Sequence, residues 1–418
     1  MKVEVYPSKA KGTIAPPASK SILHRTIISA VLSKGTSLIS NIIYSEDVLA
    51  TINAFKSMGV SIVEGPDTLL ITSNGISDYK GDLVINCNES GSTMRFLIPV
   101  LSNSNNVYFQ GKAGLINRPM GIYETIFNDQ NLEYKKTTTS IKTRGRLSPG
   151  TYKIPGDVSS QFISGLLFIL PTLKSDSTIE VLGNLESADY IAMTISTLEK
   201  FGVVIAKEKN FYKIKGNQEY IATNVEVETD FSQLAFYAVL GIINNNVQIT
   251  NINFNSLQPD KRIVEIIESM GGDIYKEHNS ATFKKSKTKG QIIDVSQCPD
   301  IAPILGILAA CSKGKTKITN AKRLVLKESN RLLSTYKILK KFGVNVTMGD
   351  DSLEINGANV LKGNTFDSFN DHRIAMSLSI AATIADSKVT INNAEVVNKS
   401  YPNFYKDLQL LGIKIKYL

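Results

Sequence analysis

One pattern constrains the fold of this chain more than any other: a helical run closed by glycine and followed by an alternating strand. It appears as AFKSMGVSIV, TLEKFGVVIA, IIESMGGDIY, ILKKFGVNVT and LQLLGIKIKY, with glycines at Gly59, Gly202, Gly271, Gly343 and Gly412. The gaps are 143, 69, 72 and 69 residues, so the first is twice the others and a sixth copy is expected near position 131. IFNDQNLEYK puts Asn131 there, and Asn also tolerates the left-handed conformation at a helix C-terminus. A second marker keeps the same period. Short polar clusters precede apolar helical runs at Ser21, Ser92, Ser160, Ser232, Asp300 and Asp371, spaced 71, 68, 72, 68 and 71 residues apart. A turn and a β-rich stretch follow each run, from KGTSLIS in the first to DSKVTIN in the last. Each unit reads as helix, strand, second helix, strand, with extra strand pairs between units. Runs such as Phe162 to Leu170 are apolar nearly all round, the mark of a helix buried inside a domain. Units of about seventy residues exceed the common solenoid repeats. Six of them in 418 residues suggest two globular domains of three units each.

Composition narrows the function. The chain is 42% hydrophobic and 20% charged, the balance of a globular protein with length enough for a core. Its longest nearly apolar stretches, Gly165 to Pro171 and Ile301 to Cys311, are too short to cross a bilayer, so no membrane partner is expected. MKVEVYPSKAKG lacks the apolar core of a signal peptide, which points to the cytoplasm. Cys87, Cys298 and Cys311 form no CxxC pair, and His24, His278 and His372 lie at no ligand spacing. No metal centre built on imidazole or thiolate is expected. The net charge of +9 fits anionic partners, either nucleic acid or small phosphorylated and carboxylated substrates. The one dense basic run, residues 284–289, has no interleaved aromatics and no nucleic-acid motif, so it reads as a solvated loop.

The second marker carries the chemistry. A helix N-terminus presents unpaired N–H groups and about half a positive charge, and Ser, Thr or Gly there lets an anion approach closely. Pro16-Pro17-Ala18-Ser19-Lys20-Ser21 adds a lysine and two hydroxyls, with Arg25 one helical turn beyond Ser21. Pro155-Gly156-Asp157-Val158-Ser159-Ser160-Gln161 opens the third helix with hydroxyls and an amide. Taken singly, each of these reads first as a simple N-cap. The second half supplies Asp300, the charged knot Lys327-Glu328-Ser329-Asn330-Arg331, Asp371-His372-Arg373 and Lys399-Ser400-Tyr401-Pro402. Here too N-caps and helical ion pairs are open readings. Two carboxylates among several cations nevertheless suit proton transfer on a polyanionic substrate. The six helix starts are expected to face one interdomain cleft, three from each domain.

SKSILHR, ESGSTMRFL, NRPM, SSQFISGLL, PDIAPILG, LKESNRL, DHRIAM and KSYPNFY occur in this order from Ser19 to Phe404 and beyond. In this the chain resembles the 5-enolpyruvylshikimate-3-phosphate synthase family, the 3-phosphoshikimate 1-carboxyvinyltransferases. The resemblance implies an α/β fold of two domains, each of three repeated βαβαββ-like units with helices buried inside, of the inverse α/β barrel type. It places the domain crossings near Thr13 and Asn224. Residues 1–13 with 225–418 would then form the phosphoenolpyruvate side with the catalytic carboxylates, and residues 14–224 the shikimate 3-phosphate side.

The implied reaction transfers the enolpyruvyl group of phosphoenolpyruvate to the 5-hydroxyl of shikimate 3-phosphate and releases phosphate, a step toward chorismate and the aromatic amino acids. Carried over by motif, Ser21, Arg25, Ser159, Ser160 and Ser187 would hold shikimate 3-phosphate, and Asp300 and Lys327 its hydroxyls. Lys20 and Gln161 would reach both ligands. Gly91, Arg118, Arg331, Arg373 and Lys399 would bind phosphoenolpyruvate. Asp300 is the expected base toward the 5-hydroxyl, Glu328 the expected proton carrier at the methylene carbon, and Lys20 a competing acid. The resemblance implies no metal and no organic cofactor; the two substrates are the only partners expected, with the protein a monomer that closes over them. Three positions depart from the family pattern. Glu89 stands where many members have Asn, and a carboxylate there repels an anion unless paired or protonated. Gly114 replaces a frequent Arg, and Asn330 replaces the usual Asp. The sister transferase acting on UDP-N-acetylglucosamine typically carries a Cys before its Arg-Pro pair and Lys-Asn at the first helix. Here GKAGLINRP has no Cys and the helix begins Lys20-Ser21.

Overall fold

The computed structural model describes residues 1–75 and 81–418. The chain forms two compact units, one of Met1–Pro17 with Glu228–Leu418 and one of Ala18–Val227. The crossings thus fall after Pro17 and Val227, slightly beyond Thr13 and Asn224. Local pairing sets them there: Asp230 N donates to Pro17 O at 2.9 Å, and Val227 N donates to Ser40 O at 3.0 Å.

Among the described residues the strands form six four-stranded sheets of one recurring design. In one of them the order is Leu83–Asn86, Val107–Gln110, Ser140–Arg144, Glu133–Lys136. The first pair is parallel and the other two are antiparallel. Helix Gly91–Val100 makes the parallel crossover and helix Gly121–Asp129 leads to the closing hairpin, which gives βαβαββ. Three sheets borrow a strand from far along the chain. Val225–Glu226 pairs with Lys34–Ser40. Gly12–Ile14 pairs with Val247–Thr250. Lys2–Val5 inserts between Val389–Asn392 and Ile415–Tyr417.

The first helix of each repeat is the buried one. All nine residues of Ala302–Ala310 are buried, and twelve of the thirteen in Phe231–Ile243. Such helices have no polar face, and removing their apolar surface from water, at about 25 cal/mol per Å2, supplies the core. Glycine permits the closest approach: a Cβ on Gly165 would lie 2.6 Å from the Arg95 carbonyl oxygen and 2.3 Å from Tyr123 Oη. That contact fixes helix Ser160–Ile169 against helix Gly91–Val100, and so brings their N-terminal ends into register. The periodic C-caps all adopt the left-handed conformation, with φ of 83° at Gly59, 55° at Asn131, 81° at Gly202, 86° at Gly271 and Gly343, and 85° at Gly412.

Candidate active site

In the Ala18–Val227 unit, Ser19, Ser90 and Ser159 are the side-chain N-caps of three buried helices, so the helices start within one or two residues of the sequence markers. The structure draws Gly91, Arg118 and Gln161 together. A Cβ on Gly91 would meet Arg118 Nη1 at 2.8 Å, Arg95 Nη1 at 3.7 Å and Gln161 Oε1 at 3.8 Å. Gln161 accepts from Arg95 Nη1 at 2.8 Å and donates to Ser92 Oγ at 3.0 Å. Two guanidinium groups and an amide therefore converge on the first turn of a helix, where positive partial charge already lies. Such a setting attracts a carboxylate or phosphate. Arg95 lay inside the ESGSTMRFL motif, yet no role was expected of it; its link to Gln161 spans sixty-six positions and leaves no local signal.

Arg25 is buried, and its guanidinium donates to Thr194 Oγ1 at 2.7 Å, Ser21 O at 2.6 Å and Tyr190 O at 3.2 Å. None of these acceptors carries a charge. Burial pulls the group down to about 10, which still leaves it cationic at neutral pH. A buried cation among neutral acceptors is costly alone and favours an anionic ligand. Ser187, buried and left-handed at φ 56°, precedes helix Ala188–Lys200 and lies one turn from Tyr190. Lys20 pairs with Asp47 at 2.7 Å. Nothing in the sequence marked Asp47 as its partner.

In the other unit Asp300, Lys327, Glu328, Arg331, Asp371 and Arg373 form a single network. Asp300 Oδ1 meets Lys327 Nζ at 3.0 Å and Arg331 Nη1 at 2.9 Å, and Oδ2 meets Arg373 Nη2 at 3.4 Å. Burial pushes the Asp300 carboxyl up, but Lys327, Arg373 and Arg331 together outweigh it and hold it well below the ordinary carboxylate range. Arg331 is almost wholly enclosed and also bonds Glu328 at 2.6 Å and Asp371 at 2.8 Å. Burial works against its charge, yet Asp371, Glu328 and Asp300 raise it above the usual arginine value. Lys327 is lowered by burial, with Asp300 acting in the opposite sense. Arg373 reaches Ser232 Oγ at 3.0 Å, and its Nε is buried without a partner. Lys399 Nζ donates to the Asn370 carbonyl at 2.7 Å.

The open N-cap readings separate here. Asp371 does cap helix His372–Ala382, accepting from Arg373 N, while it also pairs with Arg331. Asp300 is not at an N-cap position: it sits inside the 3-10 turn Pro299–Ile301, whose N-cap is Cys298, and the N-cap of helix Ala302–Ala310 is Ile301. Asn330 caps helix Arg331–Lys341 by accepting from Leu333 N, which accounts for an amide at that position. Lys327 turns to Asp300 rather than to Glu328, and Glu328 takes Arg331 instead.

A family model for EPSP synthase (3-phosphoshikimate 1-carboxyvinyltransferase) matches residues 6–408. The chain belongs to the EPSP synthase family. Its relatives in that family include the 3-phosphoshikimate 1-carboxyvinyltransferase of Clostridium acetobutylicum, 46% identical over 98% of this chain and 97% of the relative. That of Clostridium novyi is 44% identical over 98% and 97%. Among solved structures, an EPSP synthase from Acinetobacter baumannii matches with a TM-score of 0.83 at 27% identity, covering 99% of each chain. The enolpyruvyl transferase NikO from Streptomyces tendae shares the fold, with a TM-score of 0.82 at 14% identity over 100% of this chain and 98% of its own. No helix among the described residues is long and apolar enough to cross a membrane.

Proposed function

We propose that this chain transfers the enolpyruvyl group of phosphoenolpyruvate to the 5-hydroxyl of shikimate 3-phosphate, releasing phosphate, and that the residues above carry out the step. Family membership over nearly the whole chain is the observation that carries the reaction. Shikimate 3-phosphate is assigned to Arg25, Ser21, Ser159, Ser160 and Ser187, with Asp300 and Lys327 at its hydroxyls. Phosphoenolpyruvate is assigned to Arg118, Gly91, Arg331, Arg373 and Lys399, and Lys20 and Gln161 serve both. The repeats are read as an inverse α/β barrel layout. The working form is read as a monomer acting in the cytoplasm, where both metabolites are at hand.

In the addition step the 5-hydroxyl oxygen bonds C2 of phosphoenolpyruvate while the methylene carbon gains a proton. In the elimination step that carbon loses a proton as the C2–O bond to phosphate breaks. Asp300 takes the hydroxyl proton, and Glu328 carries the proton at the methylene carbon, with Lys20 the alternative acid. In the free protein three cations make Asp300 a weak base. A carboxylate or phosphate arriving at Arg331 and Arg373 competes for those cations, and Asp300 then gains proton affinity when the hydroxyl is present. Arg331 must release part of its hold on Glu328 or Asp300 to receive the ligand, since all its nitrogens are engaged with carboxylates. Expression in a bacterial strain lacking this activity tests the reading. Growth without aromatic amino acids is expected from the unaltered chain and not from Asp300→Asn; no growth with a well-expressed, folded chain would overturn it.

A further inference from the structure

Ser232 is the fourth of the six periodic helix markers, and none of the ligand assignments above involves it. It lies in the first turn of helix Phe231–Ile243, whose N-cap is Asp230. Asp230 Oδ1 accepts from Ser232 N at 2.8 Å and from Gln233 N at 3.1 Å, and the Ser232 hydroxyl donates to the same oxygen. With its one proton directed at Asp230, Ser232 Oγ offers a lone pair to Arg373 and accepts from Nη2 at 3.0 Å. The Ser232 carbonyl adds a longer contact from Nη1 at 3.5 Å. The same Nη2 lies 3.4 Å from Asp300 Oδ2, so one nitrogen is shared between a neutral hydroxyl and a carboxylate, and the hydroxyl is the nearer. Ser232 and Arg373 are both buried. In such surroundings a guanidinium released by one acceptor closes on the other, and a full ion pair resists an incoming anion more than a hydrogen bond to a hydroxyl does.

We infer that Ser232 is a positioning residue for phosphoenolpyruvate, acting by holding Arg373 back from a closed ion pair with Asp300. The inference rests on the proposed reading that Arg373 meets phosphoenolpyruvate. Ser232 needs no contact with the ligand. Its hydroxyl fixes the guanidinium against the start of helix Phe231–Ile243 and leaves it available to a carboxylate or phosphate. Without the hydroxyl, the ligand must first draw Arg373 away from Asp300.

Steady-state kinetics of phosphate release test this, with the constants for each substrate measured in Ser232→Ala, Arg373→Gln and the double variant. Ser232→Ala removes the hydroxyl alone, and both main-chain bonds to Asp230 stay in place. Its KM for phosphoenolpyruvate should rise about three- to tenfold, while KM for shikimate 3-phosphate stays within about twofold of the parent. Arg373→Gln should lower kcat/KM for phosphoenolpyruvate by about tenfold or more. In that background Ser232→Ala should change the same constant by less than about twofold, because the group it positions is gone. An unchanged phosphoenolpyruvate KM in Ser232→Ala overturns the inference. So does an equal rise for both substrates, or a further loss of that size in the Arg373→Gln background. A Ser232→Ala chain that does not fold also overturns it, since the hydroxyl would then serve the fold rather than the ligand. Arg373→Gln reports on the substrate reading separately: an unchanged kcat/KM there removes Arg373 from phosphoenolpyruvate, whatever Ser232→Ala does.

Discussion

Replacing Gly91 with alanine puts a methyl group where the Arg118 guanidinium now lies. The added Cβ would stand 2.8 Å from Nη1, whereas ordinary van der Waals contact begins at 3.4 Å. The guanidinium must therefore retreat by about 0.6 Å, enough to stretch a charge-assisted hydrogen bond of about 2.8 Å to the edge of usefulness. Complete loss of such a bond costs about 1.5–3 kcal/mol. An arginine recovers part of that by adjusting its flexible chain, so we expect about 1–2 kcal/mol, or roughly a five- to thirtyfold rise in KM for phosphoenolpyruvate. KM for shikimate 3-phosphate should hardly move, because the atoms nearest that Cβ belong to Arg118, Arg95 and Gln161 and not to Arg25 or its partners. Stability should not fall. Gly91 opens a helix and is not among the positive-φ glycines, and alanine is the better helix former. KM for each substrate and the melting temperature decide the matter. An unchanged phosphoenolpyruvate KM, or an equal rise for both substrates, would refute the placement of that ligand at Gly91 and Arg118.

Arg25→Ala should weaken shikimate 3-phosphate binding by about ten- to more than a hundredfold and phosphoenolpyruvate binding much less, while Arg118→Ala should do the reverse; calorimetry with each ligand checks both. Asp300→Asn should lower turnover by about 10²–10⁴-fold with only a modest loss of shikimate 3-phosphate affinity, as removal of a general base does. Near-parental turnover would move that role to Glu328. The ligand-free protein offers a pH test of the same network. Because the folded Asp300 lies well below its ordinary value, its contribution to stability is fully present above the unfolded value of about 3.9 and is lost only as pH falls through the folded one. The stability difference between parent and Asp300→Asn, followed by denaturant titration, should hold steady from about pH 8 to about pH 5 and shrink below about pH 4.

The repeat was legible because each copy must end a helix and turn into a strand, and only Gly or Asn does so cheaply in the left-handed region. Asn131, found by arithmetic alone, has φ 55°. The borrowed strands were not legible. Nothing local in Lys2–Val5 says that it pairs with Val389–Asn392, almost the whole chain away. The site divided in the same way. Motifs marked Lys20, Arg25 and Gln161, yet none marked their partners as such: Asp47 for Lys20, Arg95 for Gln161, Thr194 for Arg25. Asp300 shows the limit most clearly. A helix cap and a charged hub look alike in PDIAPILG, and only the turn at Pro299–Ile301, with Lys327, Arg331 and Arg373 folded onto the carboxylate, separates them.

One folded chain is expected to join phosphoenolpyruvate to shikimate 3-phosphate without a further reactant. Phosphate release by the purified protein, measured with both substrates and with each omitted in turn, tests it most directly. Release is expected only when both are present, one phosphate for each shikimate 3-phosphate consumed. Release from phosphoenolpyruvate alone, or none with both substrates and a folded protein, would contradict it.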